Sequence, residues 1–450
     1  MTSRRTFLQA GASAVLLSAC GRRRPTAEPL PPPPLTTQVI PLGTLQPDAV
    51  ALNDPPEDAD RFPSAVLAGA MRPTSVRLTT RFVGRDAVWL YVWAQNGPRE
   101  VLISEPLVVD DAGYVRVSVV GLEPGRWYRY CFIEARGGVH QARSLIGRVR
   151  TAPAEDSLLP VTIALSACAG RTNAPWPALQ ATATQDYDLM LFLGDMAYND
   201  PCRTLDEYRE SWTWHLSGDG YRRALQRAGM YAIWDDHEVA DNWNPETFPR
   251  DRLEAAVRAH REALPLDDGP LWRSYRWGRT AEIFLLDCRS ERRPAQGKYM
   301  SDAQFAWLRR GLIDSPCQFR LIANSVPITN MPGLWDIADD DRWEGYPQQR
   351  LQLLDMLRQE GLEDVLFLAG DFHCNLVTRV EPGQPLREVV VTSGNTNPLA
   401  ASLAQRRPDQ FDYSVGAARA ALLTLDPIRR TVEIRFHRPK DGGVDWRGVL

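Results

Sequence analysis

The sequence predicts an α/β domain preceded by an all-β sandwich, and three observations carry that prediction. Between about residues 60 and 153, short strands with period-two alternation are separated by turn residues. After Thr151-Ala152-Pro153, continuous apolar runs such as Leu189-Met190-Leu191-Phe192-Leu193 alternate with amphipathic stretches. That texture belongs to strands buried on both faces. Four of these runs end in acids, histidines or a cysteine, and chemistry in α/β sheets collects at the carboxyl ends of strands.

Composition sets the outer bounds. A chain of 450 residues with 44% hydrophobic and 24% charged residues has the make-up of a globular protein with room for two packed domains. A disordered chain, a collagen-like fibre and a multi-span membrane protein are excluded. The formal charge of −4, or −6 once Arg4 and Arg5 leave with the first twenty residues, argues against a polycation and against specific nucleic-acid binding. Lys298 and Lys440 are the only lysines, an arginine preference best read as codon bias. Seven cysteines are too few for a disulfide scaffold, and the odd number left after Cys20 and Cys168 forbids complete pairing.

Residues 1–20 read as an address. Ser3-Arg4-Arg5-Thr6-Phe7-Leu8 has the form of a twin-arginine export signal, followed by an apolar stretch from Phe7 to Ala19 too short to span a bilayer. Leu17-Ser18-Ala19-Cys20 resembles a bacterial lipobox, which makes Cys20 the expected site of lipidation and the membrane anchor. Residues 21–58, with Arg22-Arg23-Arg24 and Pro31–Pro34, are expected to be an extended spacer. Partners expected on this reading are the twin-arginine export machinery and a membrane. The expected location is the cell envelope or periplasm.

Residues 59–153 are assigned to the sandwich. Val88, Leu90 and Val92 share one face of a strand and Trp89, Tyr91 and Trp93 the other, and Val115, Val117 and Val119 repeat the pattern. Leu122-x-Pro124-Gly125-x-Trp127-Tyr128-x-Tyr130 resembles the tyrosine-corner segment of a fibronectin-type or immunoglobulin-like sandwich. No residue here has catalytic spacing, and His140 is expected to be exposed.

Residues 154–450 form the second domain. Its strands are expected at Val161–Leu165, Leu189–Leu193, Tyr231–Trp234, Glu282–Leu286, Arg320–Asn324, Val365–Leu368 and Glu388–Thr392. Helices are expected at Gln304–Leu312 and Gln349–Leu357, and a closing hairpin at Ala420–Leu425 and Thr431–His437.

The polar strand ends are Ser166-Ala167-Cys168, Gly194-Asp195-Met196-Ala197-Tyr198, Trp234-Asp235-Asp236-His237-Glu238 with Asp241-Asn242, and Gly370-Asp371-Phe372-His373-Cys374. Each alone fits a helix cap, a turn or a small buried hydrophobe. Together they have the layout of a two-metal phosphoesterase, in which one carboxylate, here Asp195, bridges two cations.

These motifs, with Leu286-Asp287-x-Arg289-x-x-Arg292 and Asp341-x-Trp343-x-Gly345-Tyr346, resemble in order those of the PhoD-type alkaline phosphatases over roughly residues 60–440. The resemblance implies a calcineurin-like metallophosphoesterase fold, a four-layer α/β sandwich, with phosphomonoesterase and phosphodiesterase activity dependent on iron and calcium. It implies Cys168, Asp195 and Tyr198 as ligands of a ferric ion. It places Asp195, Asn242 and Asp371 on the calcium side and His373 at one of the metals. Asp236 stands where many relatives have a metal-bound asparagine, and its role stays open. His237 is implied to protonate the leaving group or bind phosphate. Arg289 either binds phosphate or pairs an acid such as Asp287. Ala169 and Cys374 depart from the family pattern and bear on substrate preference. Thiolate and phenolate donors suit Fe3+, and oxygen donors suit Ca2+, with another divalent pair as the alternative. Competing readings are a phosphodiesterase or phospholipase D-like hydrolase on the same site and a catalytically idle envelope lipoprotein.

Overall fold

The computed structural model describes residues 35–42, 55–96, 102–103, 105–330, 341–362 and 364–450. The twin-arginine pair, the apolar stretch, Cys20 and Pro31–Pro34 lie outside the described residues.

The sandwich has two sheets. One runs, in spatial order, Gln38–Pro41, Tyr114–Val120, Ser75–Arg81 and Leu67–Arg72. The other runs Leu102–Ile103, Ala87–Ala94, Trp127–Arg136 and Val139–Arg143, with Gly147–Arg150 also paired to Trp127–Arg136. Val88, Leu90 and Val92 are buried between the sheets with Val115, Val117 and Val119, while Trp89 and Trp93 pack with Tyr91 on the opposite face. The Tyr128 hydroxyl accepts the Glu123 backbone N–H at 2.9 Å, closing the corner its sequence predicted. Two expectations need correction. The spacer assigned to 21–58 ends earlier, because Gln38–Pro41 pairs in parallel with Val117–Val120 and so belongs to the sandwich. His140 is half-buried and bonded to the Tyr91 hydroxyl at 2.8 Å.

The second domain stacks two sheets between helices. The six-stranded sheet runs Gly229–Ile233, Leu189–Leu193, Val161–Ser166, Ala420–Asp426, Thr431–His437 and Val444–Val449, the first three strands parallel. The seven-stranded sheet runs Arg273–Trp277, Ala281–Leu285, Phe319–Ala323, Val365–Ala369, Arg387–Val390, Asn375–Arg379 and Phe411–Val415, with four central strands parallel. Alternation inside the apolar runs builds the layers. Leu189, Leu191 and Leu193 join Ile283, Leu321 and Leu368 in the core between the sheets. Met190 and Phe192 face the opposite way, onto the helices Leu205–Ser217 and Arg250–Ala263. On the far side Phe284, Ile322 and Phe367 meet Asp302–Asp314 and Pro347–Gln359. The result is a helix–sheet–sheet–helix sandwich of four layers.

The two domains are packed together. The Tyr231 hydroxyl donates to Met71 O at 2.8 Å, Arg72 pairs Asp267 at 2.7 Å, and Arg150 reaches Asp188 at 2.5 Å. Among the described residues no helix is long and apolar enough to cross a membrane.

Candidate metal centre

Each loop of the site begins where a buried strand runs out. After Leu193, Gly194 turns at φ +101°, and a Cβ there would meet Asp235 Cβ at 2.5 Å, so only glycine lets the two acidic loops approach. Cys168, Asp195, Asn242, Asp371 and His373 all sit in the left-handed region, at φ between 48° and 60°. Non-glycine residues adopt it rarely and at a cost, and such strain gathers at functional sites.

The loops converge from both sheets. One ligand atom each from Cys168, Asp195 and His373 lie within 4.8 Å of one another, as do those of Asp195, Asp236 and His237. Asp195 is common to both groups. Tyr198 joins the first group by donating its hydroxyl to Asp195 Oδ2 at 3.2 Å, and its ring stacks on His237 at 4.0 Å between centroids. The Asn395 amide donates to the Tyr198 oxygen at 2.7 Å.

The electrostatics are those of a set of anions brought together. Burial, Asp195 and Asp371 push the Cys168 thiol well above its ordinary range. Burial and Asp236 push Asp195 up, and burial with Asp235 and Asp341 pushes Asp371 up to about 8. Asp195 Oδ1 and Asp371 Oδ2 are buried without a hydrogen-bond partner. Orphaned carboxylate oxygens beside a thiol, a phenol and an imidazole are the donor set that a cation would satisfy, so these residues fit a metal.

His237 behaves differently from His373. Burial lowers both, but Asp200, whose Oδ1 lies 2.7 Å from His237 Nδ1, together with Asp195 and Asp236 outweighs it and raises His237 to about 11. His373 has no such partner and falls to about 4. The two histidines are thus shifted in opposite directions.

Arg289 resolves in favour of acid pairing. Its side chain is fully buried, Nε donates to Asp235 Oδ1 at 2.5 Å, and Nη1 donates to Asp341. The carboxylate of Asp287 instead accepts the backbone N–H of Arg289 at 3.1 Å. With Nε, Nη1 and Nη2 each bonded to a carboxylate, Arg289 braces the acidic cluster, which is the acid-pairing alternative of the two expected for it. Asn242 also leans on this brace. Its side-chain amide faces the Asp341 carboxylate, which its nitrogen would meet at 2.9 and 3.1 Å with the amide turned over, and its backbone N–H donates to Asp236 Oδ2 at 2.7 Å.

Four supporting residues were given no role in the sequence reading of the site, although Glu238 and Asp341 stood in its motifs. Glu238 accepts the backbone N–H groups of Asp195, Met196 and Asp235 at 2.6–3.1 Å, tying two loops together. Asp200 orients His237, Asp341 receives Arg289 and Arg292, and Asn395 holds Tyr198. Glu238 was visible in Asp-Asp-His-Glu, but nothing in that string distinguishes a loop tie from a helix cap. Asn395 follows a seven-stranded-sheet strand and meets Tyr198 only through the stacking of the two sheets.

Stacked sheets between helices, with metal-type donors at the carboxyl ends of both, define a metallophosphoesterase-like fold. The chain belongs to the PhoD-like phosphatase family, whose model matches residues 163–426. It is 25% identical over 320 residues to alkaline phosphatase D of Bacillus subtilis (strain 168), covering 58% of this chain and 53% of that protein, so it spans about half the length of that curated relative. Among solved structures, PhoD superposes with a TM-score of 0.75 at 21% identity, covering 87% of this chain and 89% of that one. A purple acid phosphatase from yellow lupin (Lupinus luteus) seeds superposes with a TM-score of 0.64 at 12% identity, covering 86% of this chain and 74% of that one.

Proposed function

We propose that this chain is an exported, metal-dependent phosphoesterase that hydrolyses phosphomonoesters and also accepts diesters. The observation that carries the reading is Asp195, one carboxylate common to two groups of ligand atoms. A metal pair held there would supply an activated oxygen nucleophile and positive charge over the phosphoryl oxygens. On this reading Cys168, Asp195, Tyr198 and His373 would hold ferric iron, and Asp195, Asp371, Asn242 and Asp236 would offer oxygen to calcium or another divalent ion. His237 supplies what the cations do not. The Asp200 carboxylate raises it and fixes one ring nitrogen, and Tyr198 fixes the ring plane, so the other nitrogen would be placed to give a proton to the departing alkoxide.

The test is turnover of nitrophenyl phosphate, bis-nitrophenyl phosphate and a simple alkyl phosphate by protein reconstituted with iron and calcium. His237→Asn should slow the alkyl ester by about 10²–10⁴-fold and the nitrophenyl esters less, because nitrophenolate leaves without a proton. Equal losses on all three would remove His237 from the proton-donor role. No hydrolysis of any ester would remove the reading altogether.

Export through the twin-arginine machinery and anchoring at Cys20 rest on the sequence Arg4-Arg5 and Leu17-Ser18-Ala19-Cys20. Cys20→Ser should move the protein from the membrane to the soluble fraction, and unchanged fractionation would refute the anchor.

A further inference from the structure

Tyr198 is held from three sides. Its backbone N–H donates to His215 Nε2 at 3.2 Å, and the other ring nitrogen of that buried histidine meets Ser211 O at 2.8 Å. Its ring stacks on His237. Its oxygen accepts the side-chain amide of Asn395 at 2.7 Å. This third contact comes from across the layers, because Asn395 lies in the loop that follows Arg387–Val390 of the seven-stranded sheet.

The network fixes which end of the Asn395 amide faces the phenol. Its carbonyl oxygen accepts Asn173 Nδ2 at 2.7 Å, so its nitrogen is the atom left for Tyr198. The Tyr198 hydroxyl spends its single proton on Asp195 Oδ2, which leaves its oxygen an acceptor toward Asn395. The same residue reaches a second anionic donor of the centre, for its backbone N–H donates to Cys168 O at 2.9 Å. The loop after Cys168 is shaped around it. A Cβ on Gly170 would collide with the Asn395 amide oxygen, so glycine there is what seats the side chain. The Ala169-Gly170 turn, which departs from the family pattern at Ala169, thereby has a use that the proposed reaction does not account for.

We propose that Asn395 is a positioning residue for the metal centre, whose amide donates a hydrogen bond to Tyr198 as a phenolate ligand and so sets how much charge that oxygen gives to the cation. A phenolate is an acceptor only, and it strengthens a bond donated by a fixed amide. That bond lowers the energy of the phenolate electrons. Less charge then passes to the cation, which keeps more of its own to place over phosphoryl oxygens. The inference rests on the ferric assignment proposed above and adds to it a residue outside the ligand set.

Visible absorption and resonance Raman of the full chain, reconstituted with iron and calcium, test it in the parent, Asn395→Leu and Asn395→Asp. Both substitutions approximate the size of the amide and remove its N–H donor. The carboxylate of Asn395→Asp can still accept from Asn173, so a merely structural role would leave its spectrum where the parent has it. With iron content equal to the parent's, the charge-transfer band that enhances the phenolate ring modes should move to longer wavelength in both variants. Turnover should fall by about 10–100-fold, the usual loss for a partner behind a ligand. If Asn395→Leu misfolds by circular dichroism, Asn395→Asp decides. A band that stays in place or moves to shorter wavelength overturns the proposal while leaving the ferric assignment standing. Loss of iron from both variants also overturns it, since Asn395 would then only support the fold of the site. A colourless parent overturns the ferric assignment and this inference with it.

Discussion

The guanidinium of Arg289 grips the carboxylate of Asp235 at 2.5 Å with neither side chain reaching solvent, and its other arm holds Asp341. Burial alone would raise Asp341, yet Arg289 and Arg292 hold it down to about 2. Arg289→Met therefore leaves buried carboxylates without their counter-ion and should cost about 3–5 kcal/mol of stability. Urea unfolding with parallel metal analysis checks this. A variant of unchanged stability and metal content whose only defect is a raised KM would return Arg289 to phosphate binding.

Metal binding should release protons. Without a cation, Asp371 titrates near pH 8 and the Cys168 thiol is pushed well above its ordinary range, so at pH 7 these two donors carry protons that a metal must displace, and Asp195 is raised in the same sense. Because the shifts are upward, affinity should fall as pH falls below about 8. Titrating metal into the metal-free protein in buffers of different ionisation enthalpy should give more than about one proton per chain. Identical heats in every buffer would contradict it.

Colour is the third expectation. If Tyr198 and Cys168 hold ferric iron, the reconstituted protein should absorb visible light, and Tyr198→Phe should shift or bleach that band with loss of turnover. Calcium chelation should cost turnover with little change in colour. A colourless, fully active protein carrying two zinc ions would refute the assignment.

His260 gives a pH test away from the ligands. It is buried against the rings of Trp212 and Trp234, Nδ1 has no partner, and burial lowers it to about 3. The unfolded chain takes up this proton below about pH 6.5 and the folded chain only near 3. Stability from this residue is thus intact above pH 6.5 and declines as pH falls, by at most about 1.4 kcal/mol per unit. The difference in unfolding free energy between the parent and His260→Phe should change between pH 7 and pH 5 in that sense. A constant difference would show that His260 does not govern it.

What the sequence made legible follows from where the information is local. Leu189–Leu193 is a strand because five consecutive apolar residues can satisfy both faces only inside a sheet, and the strand occupies those residues. The helix Leu205–Ser217 was missed although Thr204 and Glu207 form a capping box, since Trp212, Trp214 and His215 blur its apolar stripe. Asp195 and His373 could be picked out as candidate ligands from their strand-end loops, and the structure brings them together with Cys168. That Arg289 faces Asp235 rather than Asp287, its sequence neighbour, is set by the packing of one sheet on the other and has no trace in local spacing.

That packing has a consequence for how the protein comes apart. Cys168, Asp195 and Asp236 ride on one sheet, Asp371 and His373 on the other, and the strands of the two sheets do not pair. Between them run side-chain contacts and a few loop bonds, such as Asn395 N–H to Cys168 O at 2.9 Å. A cation bound by Cys168 and His373 would rivet the halves of the molecule, so that the same atoms which perform the chemistry also resist shear between the layers.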